Sequence, residues 1–160
     1  MKRPNARFEV PRVRKTVSLL SLVLVASTAG CGRPFVLLPG GPLECTTAAA
    51  PDDWSFTDTI NTVQLETRPA DPYSVNIWVI ALGDRLYVHA GTNRAEWVEH
   101  MEEDAKVRMR VEESIYELAA ARVNEQAEFD RFSDSYEKKY GRRPGNESAT
   151  EAYLFRLEAR

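Results

Sequence analysis

Cysteine and histidine are scarce in this chain, with two of each in 160 residues. Two cysteines cannot make the disulfide framework that staples small secreted domains, and cannot make a four-thiolate metal site. His89 and His100 have no cysteine or carboxylate pattern around them, so the ligand spacing of a metal site is missing. Both read as surface or packing residues, His100 on the polar side of a helix. Long apolar runs are lacking too. The longest, "VSLLSLVLVASTAG" at 17–30, has 14 residues, whereas a spanning helix needs roughly 20. No Ser-His-Asp set, paired-carboxylate motif, Walker loop or Cys-x-x-Cys occurs, so no catalytic residue and no metal ligand is nominated. Internal repeats are absent.

What is present at the N-terminus is a secretory signal. Lys2, Arg3, Arg7, Arg12, Arg14 and Lys15 form its basic region, and the apolar run follows. The run ends in "TAGC", residues 28–31, which resembles the lipobox of bacterial lipoproteins. There small residues let a peptidase close around an extended backbone, and the cysteine takes a diacylglyceryl group. Residues 1–30 are therefore expected to be a lipoprotein signal peptide and Cys31 the lipidated residue, anchoring the protein in a bacterial cell envelope. Several acyl chains, at roughly 0.8 kcal/mol per buried CH₂, make such an anchor durable. The basic region has no Arg-Arg pair, which disfavours export in a folded state. With Cys31 acylated, Cys45 is left without an intrachain partner.

Six of the 21 basic and one of the 24 acidic side chains lie in residues 1–30, which leaves 15 against 23 and a net charge of −8. A nucleic-acid binder needs a basic footprint, so that class is excluded. Residues 31–53, rich in Gly, Pro, Ala and Thr, read as a flexible lipidated tether. The folded domain is expected at 54–160.

Within it, hydrophobic periodicity places strands at 62–68, 73–82, 85–90, 106–112 and 114–123, and in the last ten residues. Val63, Leu65 and Thr67 share one face of the first. Val107, Met109 and Val111 alternate with Lys106, Arg108 and Arg110, which suggests one wet face. Gly83-Asp84 reads as a hairpin turn. Helices are predicted at about 94–103 and over 125–141. The second has Phe129, Phe132, Tyr136 and Tyr140 on one face and Gly141 as its C-cap. That stripe is a packing face or, alternatively, the lining of a ligand pocket or a dimer seam. Lys138, Lys139, Arg142 and Arg143 suit a helix C-terminus, or an anion contact. Together these give an α+β domain: a six-stranded antiparallel barrel with two short helices.

Between third strand and first helix lies "AGTNRAEW", residues 90–97. Asn93 and Glu96 have capping-box spacing, with Thr92 or Asn93 as N-cap. Backbone N–H groups and an arginine at such a turn also suit a phosphate.

The order strand, strand, "GDRLYVHAGTNRAEWVEHMEEDAKVRMRV" resembles the flavin-binding split-barrel superfamily of pyridoxamine 5′-phosphate oxidase, including the deazaflavin-dependent nitroreductases. The matching positions are Gly83, Leu86-Tyr87-Val88, Gly91-Thr92, Trp97 and Asp104-Ala105-Lys106-Val107. The resemblance spans about 60–160. It implies a split β-barrel, often a homodimer, binding FMN or the deazaflavin F420 for redox chemistry. Carried to this chain, the cofactor-binding residues are Thr67 and Arg68 on the first strand and Gly91, Thr92, Asn93 and Arg94 in the loop. Where many relatives follow that strand with glycines and basic residues, this chain has "PADP", with Asp71 between two prolines. The alternatives are a cofactor-free binding module and a structural lipoprotein using the same barrel.

Overall fold

The computed structural model describes residues 40–160. The signal, the lipidation expected at Cys31 and the first part of the tether lie outside the described residues. Eight strands form one sheet: β1 (Thr46–Ala48), β2 (Thr62–Thr67), β3 (Tyr73–Trp78), β4 (Ile80–Leu82), β5 (Arg85–His89), β6 (Lys106–Val111), β7 (Ser114–Arg122) and β8 (Leu154–Ala159). Helix α1 (Glu96–Glu103) joins β5 to β6, α2 (Gln126–Tyr140) joins β7 to β8, and a 3₁₀ turn at Ser55–Thr59 precedes β2.

The strand order is β3-β2-β6-β7-β8-β5-β4, antiparallel throughout, with β1 added parallel to the start of β7. Its two ends, β3 and β4, are consecutive pieces of one chain segment parted by Val79. The sheet therefore curls until its ends meet along the backbone. Six strands are expected from the sequence and eight are found, for two reasons. The segment 73–82 breaks at Val79, and the tether contributes β1.

One face of the curl is the core. Val63, Leu65, Leu86, Val88, Val107, Met109, Leu118, Phe155 and Leu157 fill it, and Trp97, Val98 and Met101 of α1 close one end. A strand's alternation puts every second residue on this face, which is why the pattern was legible. Trp54, stacked on Phe56 and edge-on to Tyr116, is packed into the same core.

Two expectations are corrected here. Arg110 and Glu66 are buried although they point away from the core, and Glu66 is covered because residues 40–43 lie across the outer face of β3, β2 and β6. Gly40 exchanges backbone hydrogen bonds with Ser74, whose hydroxyl donates to the Gly41 carbonyl at 2.7 Å. Leu43 is buried, its N–H donates to Glu66 Oε2, and its carbonyl accepts from Arg108 Nη2 at 2.8 Å. Arg108 Nη1 also reaches both Glu66 oxygens, at 2.9 and 3.2 Å. This strip of the tether is a strap, not a leash. Cys45, just ahead of β1, is disulfide-bonded.

The second correction concerns α1. Its N-cap is Ala95, with no side-chain cap bond, so neither Thr92 nor Asn93 caps it. The loop spends its bonds on itself: Asn93 N–H goes to the Ala90 carbonyl and Ala95 N–H to the Asn93 carbonyl. His100 is 5% exposed rather than on a wet face. Its Nδ1 lies 2.9 Å from Thr67 Oγ1 and its ring stands edge-on to Tyr73.

Helix α2 covers the outer face of β4, β5 and β8 with Phe129, Phe132 and Tyr136. It ends, as its sequence predicts, at Gly141 in the left-handed conformation, φ 73°, whose N–H bonds the Glu137 carbonyl. Its last turn repairs the break in the sheet. Val79 N–H donates to Tyr140 Oη at 3.1 Å, and the Val79 carbonyl is 2.9 Å from both Tyr140 Oη and Lys139 Nζ. Buried backbone groups need partners, and here side chains replace a lost ladder. Among the described residues no helix is long and apolar enough to cross a membrane.

Candidate functional site

The break at Val79 creates the site. Below it β4 pairs with β5; above it β2 is the one strand that β3 pairs with among those described, and β3 and β5 part. Extending the Ile80–Tyr87 pairing by two residues brings Trp78 level with His89. Two cavities open along this split, and both are lined by His89. One, about 180 Å³, is walled by Trp78, Ile80, Tyr87, Phe132 and Tyr136. The other, about 410 Å³, is formed by Ala90, Gly91, Thr92, Asn93, Gly145 and Asn146. They form an aromatic trough with a polar end.

The aromatic wall is ordered by α2. Trp78 is 40% exposed and stacks on Tyr140 with ring centroids 4.5 Å apart. The Arg142 guanidinium lies 5.0 Å from the Trp78 ring centroid. Tyr136 packs on Phe132 at 5.5 Å, and both rings meet His89. Under this wall, Tyr87 donates to Glu128 Oε1 at 2.7 Å, and Arg156 Nη1 reaches both Glu128 oxygens at 3.0 Å. Burial, then the hydrogen bond to Glu128, pushes the Tyr87 hydroxyl up to about 12, so it remains a donor. Burial alone would raise Glu128, but the bonds from Tyr87 and Arg156 and the arginine's charge outweigh it and hold the carboxyl below its ordinary value.

At the polar end, burial holds the His89 imidazole below its ordinary value, against the opposing pull of a hydrogen bond with the Asn146 side chain. Gly91 has φ 65°, and a Cβ there would stand 3.5 Å from Asn146 Oδ1 and 4.0 Å from His89 Cε1. A side chain at this position would be strained by the positive φ while meeting the pair only at ordinary contact distance.

The six residues expected to hold a cofactor do not converge. Gly91, Thr92 and Asn93 line the polar cavity. Arg94 is turned onto α1, with Nε 3.4 Å from Glu99 and Nη2 3.2 Å from Glu102. Thr67 is buried against His100 and the Tyr73 carbonyl. Arg68, at φ 50°, pairs with Asp71 at 3.2 Å, and its Nε is buried without a partner. Of the basic cluster, Lys139 donates to the Thr57 and Val79 carbonyls, and Arg143 is ion-paired with Asp134 and Glu137. No group of side chains with metal-ligand geometry occurs among the described residues. His89, Trp78 and Asn146 were missed as site residues. Their convergence depends on the Val79 break, which periodicity does not announce; the aromatic stripe of α2 and the loop residues Gly91, Thr92 and Asn93 pointed here.

A curled antiparallel sheet with an opening between two strands and a helix across its end defines a split β-barrel. Solved structures agree on the fold. A protein assigned as a pyridoxamine 5′-phosphate oxidase from Listeria innocua superposes with a TM-score of 0.51 at 13% identity, over 64% of this chain and 86% of that one. A conserved hypothetical protein from Mycobacterium tuberculosis gives 0.54 at 15% identity, over 71% and 86%. A protein assigned to 5-nitroimidazole antibiotic resistance from Bacteroides thetaiotaomicron gives 0.50 at 11%, over 67% and 80%. No curated protein matches the sequence. Residues 57–153 match the family profile DUF2255, described as uncharacterized proteins conserved in bacteria, and the chain belongs to that family.

Proposed function

We propose that this protein binds a planar heteroaromatic cofactor of the flavin or deazaflavin class in the trough between β3 and β5, on the outer side of the bacterial cytoplasmic membrane. The observation that carries the reading is the meeting of Trp78, Phe132 and Tyr136 around His89, beside Gly91, Thr92 and Asn93. Aromatic walls accept a flat ring, and polar groups at one end fix its orientation. Such a cofactor supplies the electron transfer itself, so a chain without a nucleophile or general base suits it. The ring half of the cofactor fits the residues present. The phosphate half fits less well, because the cavity lining has no cation and Arg68 and Arg94 are both neutralised by carboxylates. That observation favours the second reading, a cofactor-free barrel that binds a small uncharged aromatic ligand.

The export signal and the disulfide at Cys45 support the same compartment, since disulfides persist outside the reducing cytoplasm. The acyl anchor proposed at Cys31 and an intrachain disulfide would compete for one thiol. Intact mass of the protein from its host separates them: diacylglyceryl adds mass at Cys31, whereas a disulfide with Cys45 removes two hydrogens. An absorbance spectrum of the purified full chain, followed by titration with FMN and F420, tests the cofactor. A yellow protein, or micromolar binding of either, is expected. A colourless protein that binds neither leaves the cofactor-free reading, and a mass twice that of the chain in light scattering would show the expected homodimer.

A further inference from the structure

Ser74 fixes which way the backbone of β3 faces. Its N–H donates to the Gly40 carbonyl at 3.0 Å, and its carbonyl accepts from the Gly40 N–H at 2.8 Å. Neither bond goes to β2, although Ser74 lies opposite Glu66 of that strand. Gly40 therefore sits on the other edge of β3, the one turned towards the split. In an antiparallel ladder the backbone groups of alternate residues point to the same edge, so Asn76 and Trp78 also present theirs to the split. The bridge between Gly40 and Ser74 is antiparallel. Continued two residues at a time, it sets Leu38 opposite Asn76 and Val36 opposite Trp78.

The sequence ahead of Gly40 suits that register. "PFVLLPG", residues 34–40, holds an unbroken apolar run between two prolines. A short apolar run without alternation is the pattern of a strand covered on both faces. Pro39 has no N–H to donate, and in this register position 39 faces away from β3, where none is needed. Position 34 would face β3, but it falls opposite Ile80, past the break at Val79, where Ile80 already pairs with Tyr87. The edge thus has room for one short strand, 35–38.

We propose that residues 35–38 form a strand on the split edge of β3 and close the trough, so that a ligand enters only when this segment leaves. Asn76, Ile77 and Trp78 line the smaller cavity. Residues directly opposite in a ladder share a face, which puts Val36 and Leu38 on the outer side with Trp78, where Phe132 and Tyr136 wall that cavity. Closing strand and strap are then consecutive, with Gly40 and Gly41 carrying the chain from the edge of β3 onto its outer face. The control of ligand entry rests on the reading of the trough as a heteroaromatic site; the pairing itself does not.

Proton NMR of the full chain tests the register without any variant. Leu37 and Ile77 form a non-hydrogen-bonded pair in this ladder, the closer kind, so a nuclear Overhauser contact between their Hα atoms is expected. Its absence would overturn the proposal. Leu38→Pro deletes an N–H aimed at β3, whereas Leu37→Pro deletes one aimed away. Amide exchange at Asn76 and Trp78 should quicken about tenfold in the first and hold in the second, with core amides at Leu65 and Met109 unchanged in both. Equal exchange in the two variants overturns the strand. An occupied trough lowers apparent affinity by the fraction of molecules that stand open, so Leu38→Pro should bind FMN more tightly than the unaltered chain. Equal FMN affinities overturn the closing role and leave the flavin reading intact. If neither protein binds FMN, acrylamide quenching of Trp78, assigned with Trp78→Phe, decides. Quenching that rises in Leu38→Pro upholds the closed trough while the flavin reading falls, and unchanged quenching overturns both.

Discussion

Glu66 and Arg108 show how one side-chain pair decides what a face of the sheet does. Glu66 is fully buried on the side of β2 that alternation assigns to solvent. A buried carboxylate needs its charge met and its lone pairs filled. Arg108 supplies two contacts and the Leu43 N–H a third, so the ion pair holds the strap as much as the strap shields the pair. Removing one partner strands the other. Arg108→Ala is therefore expected to cost about 3 kcal/mol of stability and to release residues 40–43, read as a lower urea midpoint and new proteolysis near Leu43. The double replacement Glu66→Leu with Arg108→Met should cost less than Arg108→Ala alone. If the single change proves the milder of the two, the pair does not organise this face.

The β3–β4 segment and α2 act as one device. A single strand read from periodicity at 73–82 is right about composition and wrong about continuity, because Val79 turns the backbone while its side chain stays in the core. Tyr140 and Lys139 then take up the stranded Val79 groups. Tyr140→Phe keeps the stack on Trp78 but leaves the Val79 N–H unpaired, with an expected cost of about 1–2 kcal/mol and faster amide exchange at Val79. Unchanged exchange would mean that water already serves that site. This device also explains what the sequence could and could not disclose. Core faces of β2, β5, β6 and β8 and the stripe of α2 follow period-two and period-3.6 patterns, so they were legible. The strap over Glu66, the bonds that Arg94 makes to Glu99 and Glu102, and the meeting of His89 with Trp78 and Asn146 depend on which segments lie together across the fold. No local pattern encodes those contacts, and the loop residues Gly91, Thr92 and Asn93 were reached through family likeness.

At the scale of the molecule, stability should respond to pH through the groups that fold into the trough. His89 has a folded pKa below its ordinary 6.5, held there chiefly by burial. Between the two values the unfolded chain binds a proton that the folded one does not, so this contribution is present above about 6.5 and is lost as pH falls below it. Glu128, also lowered from its ordinary 4.5, adds a second loss further into acid. Tyr87 and Tyr140 act in the opposite direction. Burial raises both to about 12, so their contribution is complete below 10 and fades as pH climbs towards 12. These four groups should thus give an acid shoulder that begins near 6.5 and an alkaline loss above 10. Urea midpoints measured from pH 8 to 4 should trace that shoulder, and His89→Phe should flatten its onset below 6.5 while leaving the fall below 4.5 that Glu128 adds. A His89→Phe protein that loses stability as steeply as the unaltered chain over that onset would assign the acid response to other groups.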